Sequence, residues 1–152
     1  MKRVTALLLP VAALVLSAGS SVSAAELEWN QERVRALAQK LIEPVEALMT
    51  DLESRPSVPG KEQARAVVMK DLEGLRSRAQ ELAQRLASGA GRADTVALFH
   101  EVQTLQSQAM KHARDYPAPF DMHVYIDRAQ STTIELARYY GESPDPGDRS
   151  QS

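Results

Sequence analysis

Among the methionines and histidines of this chain, Met49, Met110, Met122, His112 and His123 form a set that could do soft-donor chemistry. Thioether and imidazole suit copper, and His with Met also serves as an axial ligand set for haem. The chain has 152 residues and no cysteine. That excludes thiolate zinc sites, iron–sulfur clusters, covalent c-type haem and a thiol nucleophile. Copper and haem b are the cofactors left for such a site. The same residues also have a plainer role. Methionine fills irregular space near a helix end. The two histidines would then be half-buried and bonded to Asp51, Asp115, Asp121 or Asp127.

Other polar constellations point to binding rather than chemistry. Gln130 and Thr133 put polar groups on the inward stripe of the last helix, and Tyr139-Tyr140 precede Gly141. All four are candidates for a partner surface, and the tyrosines equally suit a packed helix end. Ser131-Thr132-Thr133 either line a pocket or bond back to the preceding turn. His100 with Glu101 reads as a solvated pair. Catalysis is not expected. The apolar seams of the first two helices and most of the third bring no Asp, Glu, Lys or Arg inward, and no nucleophile elbow is present.

Four amphipathic stretches must position these residues. Helix 1 covers about 30–53, with Asn30 as N-cap and Trp29 and Val34 spaced as a hydrophobic staple. Its stripe is Val34, Leu37, Leu41, Val45, Leu48 and Leu52, at spacings of three and four. Pro44 removes one donor inside it. Helix 2 covers about 60–88. It has the most regular repeat, Ala64, Val68, Leu72, Leu75, Ala79, Leu82 and Leu86, before Gly89. Helix 3 covers about 93–114, with Leu98, Val102, Leu105 and Ala109 inward. Helix 4 covers about 120–140, with Met122, His123, Ile126, Gln130, Thr133, Ile134, Ala137 and Tyr140 inward. The polar tail 142–152 is expected to be disordered.

The expected fold is all-α: an antiparallel up-down-up-down four-helix bundle over residues 25–141. The alternative is a dimerising hairpin of helices 1 and 2, with helices 3 and 4 packed less tightly. In the bundle, the end of helix 3 and the start of helix 4 share one end of the molecule. That end would gather His112, His123, Met110, Met122 and Met49.

Residues 1–24 read as a signal peptide: a basic start, an apolar run Val4–Leu16 and small residues at Val22-Ser23-Ala24. Cleavage is expected after Ala24, or after Ala25. Removing Lys2 and Arg3 from 18 basic residues leaves 16 against 20 acidic, a mature net charge of −4. That balance does not suit nucleic acid. No later segment reads as a transmembrane span. The reading is an exported periplasmic binding or interaction protein whose partner is an envelope or periplasmic protein, or a second copy. The second reading is a small haem- or copper-binding bundle. If the Met/His end holds either ligand, periplasmic protein should carry it, as an absorption spectrum and metal analysis would show. His112→Ala and His123→Ala should each weaken binding, and His100→Ala should not. A colourless, copper-free protein whose melting temperature ignores both ligands would remove this reading.

Overall fold

The computed structural model describes residues 27–114, 116 and 122–142. The expected leader, the approach to helix 4 from residue 120 and the tail beyond Glu142 lie outside them. The described residues form four α-helices and no strand: α1 Gln31–Ser54, α2 Glu62–Ala87, α3 Arg92–Arg114 and α4 Met122–Tyr139. None of them is long and apolar enough to cross a membrane.

Local signals explain the ends. Asn30 is extended, and its side-chain oxygen accepts from the Arg33 amide at 2.9 Å. That satisfies one of the donors a helix start leaves orphaned. α1 runs on through Pro44 to Ser54. α2 stops at Gly89, whose φ of 92° is the left-handed conformation that glycine adopts without strain. The Ala90 amide then bonds the Arg85 carbonyl at 3.0 Å.

Packing follows the stripes of α1 and α2. α1 buries Val34, Leu37, Leu41, Val45, Leu48 and Leu52. α2 buries Val68, Leu72, Leu75, Ala79, Leu82 and Leu86. α1 packs on α2 and α4, and α2 packs on α3. α3 and α4 come close at few points. Hydrogen bonds tie the ends. Gln31 Nε2 donates to the carbonyls of Leu86 and Ala90, each at 2.9 Å. The Leu27 amide donates to the Arg138 carbonyl at 3.1 Å. The Arg65 guanidinium donates to the Leu52 carbonyl and, at 2.6 Å, to Ser57 Oγ. Outside, Glu81 takes hydrogen bonds from Arg78 and Arg85, and these hold its carboxyl below the usual glutamate range.

The last two helices depart from the expected stripes. α3 also buries Thr95, Phe99 and Gln106, while Leu105 is only partly buried. The stripe of α4 is rotated by about one residue. It buries Met122, Ala129, Thr132, Thr133, Leu136 and Ala137, while His123 and Gln130 are exposed and Ile134 is 41% exposed. The reason is the composition of this helix. Val124, Tyr125, Ile126, Ile134 and Leu136 surround much of its circumference, so its periodicity admits more than one inward face. The face used is rich in small residues, which lets α4 lie close against α1.

Leu82 is fully buried, and Val58 sits exposed in the α1–α2 loop. Leu82→Ala should lower the unfolding free energy by roughly 2–5 kcal/mol in a urea titration. Val58→Ala should change it by about 0.5 kcal/mol or less.

Candidate functional site

The Met and His residues are distributed over core, cleft and surface. Met49 and Met122 are buried in the core. Met110 is partly buried on α3. His112 lies on the α2–α3 seam, where its Nδ1 is 2.5 Å from Asp71 Oδ2. Its imidazole is about 40% exposed. The carboxylate it meets is none of the four expected from neighbouring sequence, because α2 supplies it from 41 residues away. His123 is exposed on α4. Among the described residues, no three His, Asp or Glu side chains gather where they could hold a metal ion.

A cleft opens on the interior where α3 and α4 fail to close. α1 contributes Pro44, Val45 and Leu48, and α2 contributes Val68, Leu72 and Leu75. α3 adds Gln106, Ala109, Met110 and Ala113, and α4 adds Tyr125, Ile126 and Ala129. Its volume is about 30 Å³. Gln106 is the one residue in this wall with an amide side chain. It is only 7% exposed, and its side chain makes no hydrogen bond among the described residues. No side-chain polar atom sealed from solvent lacks a partner among the described residues. The Gln106 amide therefore keeps access to water. Sequence reasoning passed over this residue, although Gln103, Gln106, Met110 and Ala113 form a second three-four stripe beside the main one.

The opposite end of α3 and α4 is closed by Tyr140. Its ring stacks on Phe99 with centroids 4.3 Å apart and planes 7° off parallel. Trp29 meets it edge-on at 5.3 Å. The Thr95 hydroxyl donates to the Gly91 carbonyl at 2.8 Å, so the Tyr140 hydroxyl, 2.9 Å away, donates to Thr95. Of the two candidate partner-surface tyrosines, Tyr140 is thus spent on internal packing, and Tyr139 is partly buried. Glu142 folds back on α3. It pairs with His100 and accepts from Gln103 Nε2 at 2.8 Å. His100 therefore does not pair with Glu101, which meets Arg78 of α2 at 3.0 Å instead.

The polar run on α4 is satisfied locally. Thr132 and Thr133 donate to the carbonyls of Arg128 and Ala129 at 2.9 and 3.0 Å. Thr133 is buried, whereas Gln130 faces solvent. Ser131 and Thr132 line a shallow groove against Lys40, Glu43 and Ala47 of α1, about 490 Å³ in volume. No protein-family model, curated protein or solved structure matches the chain.

Burial raises the Tyr140 phenol above its ordinary value. The folded state then holds the phenolic proton more tightly than the unfolded chain does. Its contribution is complete below the unfolded value of about 10 and is lost as pH rises through the folded one. Tyr140→Phe should cost about 1 kcal/mol at neutral pH, since it removes one hydrogen bond. Urea titrations between neutral pH and pH 11 should show the difference from wild type shrinking as pH rises.

Proposed function

We propose that this chain is an exported, non-catalytic helical-bundle protein that acts by binding another protein, an envelope component or a second copy. The end-to-end ties support an antiparallel up-down-up-down bundle. Gln31 joins the start of α1 to the end of α2, and Tyr140 joins the end of α4 to the start of α3. The basic–apolar–small pattern of residues 1–24 supports export to the periplasm and cleavage of a signal peptide.

The observation that carries the binding assignment is the cleft left open between α3 and α4. Small-molecule and cofactor sites occupy roughly 300–1,000 Å³. A cleft of about 30 Å³ suits no more than the methyl-sized tip of an apolar side chain presented by another protein. The Gln106 amide, with a donor and an acceptor to offer, suits a polar group beside it. Such a partner fits better than copper or haem b, because the Met and His residues are spread over core, cleft and surface and do not converge on one point.

A photo-crosslinking residue in place of Met110 tests this in intact cells. A covalent adduct of discrete mass is expected, and the same probe at exposed Gln63 should form none. Equal labelling from both positions, or none from Met110, would overturn the assignment. The uncrosslinked chain in the same periplasmic extract should begin at Ala25, or at Glu26, by intact mass. A chain that keeps residues 1–24 would overturn export with cleavage.

A further inference from the structure

The exposed face of α4 has a charge order that fits a copy of itself. Asp127, Gln130, Ile134 and Arg138 fall within an arc of about 80° on a wheel of 100° per residue. Ile134 is the apolar centre of this arc and is 41% exposed. Asp127 lies towards the start of the helix and Arg138 towards its end, both exposed. Neither side chain has an ion-pair partner among the described residues. Glu135, on the flank facing α1, is by contrast held by Arg33 at 2.7 Å.

We propose that this face of α4 pairs with the same face of a second copy, antiparallel about a two-fold axis. The proposal rests on the reading of the chain as an interaction protein and gives it a second surface, separate from the cleft. A two-fold midway between residues 127 and 138 sets Asp127 of each copy opposite Arg138 of the other, so one pairing makes two ion pairs. A parallel pairing in register would set like charges together. At a rise of about 1.5 Å per residue, the same axis leaves the two Ile134 side chains offset by about 4.5 Å along the helices. They cover each other, with the uncharged Gln130 of each copy alongside. One helix per copy makes a small contact, so the dimer is weak and depends on concentration.

Sedimentation equilibrium of the mature chain from about 10 μM to about 1 mM tests the pairing. Wild type should pass from monomer to dimer within that range. Asp127→Arg and Arg138→Asp should each weaken association by about tenfold or more, because each turns two attractions into repulsions. An equimolar mixture of the two variants should associate at least as tightly as wild type, since one then carries two bases on this face and the other two acids. Ile134→Glu should abolish the dimer, with an unchanged far-ultraviolet spectrum showing that the fold is kept. A monomer throughout, or a dimer indifferent to both reversals, would overturn the self-pairing. If the chain is monomeric but Met110 still crosslinks to a protein of different mass, self-pairing fails and the interaction reading stands. A monomer with no crosslink overturns both.

Discussion

Tyr140 joins three parts of the chain at one end of the bundle. Its ring lies against Phe99 of α3 and Trp29 just before α1, and its hydroxyl bonds Thr95. It stands one residue past α4, where its amide still bonds the carbonyls of Leu136 and Ala137. Gly141, with φ of 77°, then turns the chain so that Glu142 reaches back to His100 and Gln103 on α3. α3 and α4 have few other points of approach, so their closure depends on this knot. An aromatic with a polar tip suits the position: the ring adds stacking to burial, and the hydroxyl meets a partner instead of being stranded.

The parts legible in the sequence were those where only one face was apolar. α1 and α2 alternate a Leu/Val stripe with charge, so their buried faces follow from spacing alone. Asn30 and Gly89 are capping residues whose local chemistry suffices to place them. α4 is different. With Val124, Ile126, Ile134 and Leu136 on several sides, its inward face is decided by what it packs against. The pairing of His112 with Asp71 was illegible for a related reason. It links helices 41 residues apart, and local spacing supplies only neighbours such as Asp115 and Asp127. The cleft was hidden too, because it is a gap between elements rather than a property of any one. Its marker, Gln106, reads in sequence as an ordinary polar helix residue.

Small side chains account for both the tight and the open sides of α4. Ala129, Thr132, Thr133 and Ala137 let it lie against α1 without large protrusions, and the two threonines satisfy their hydroxyls on their own helix. The larger apolar residues Val124 and Ile134 are then left outside, and Tyr125 and Ile126 stand at the cleft wall. The surface that α4 shows to solvent is thus more apolar than a helix with one buried stripe would leave.

The one-sided closure of α3 and α4 also has a mechanical consequence. Aromatic stacking, an internal hydroxyl pair and the folded-back Glu142 stiffen one end of this helix pair, while further along Met110 and Ile126 face each other across an apolar cleft. Thermal motion of low energy concentrates where few contacts oppose it, so backbone amides of α3 and α4 beside the cleft should exchange with solvent faster than those packed around Tyr140.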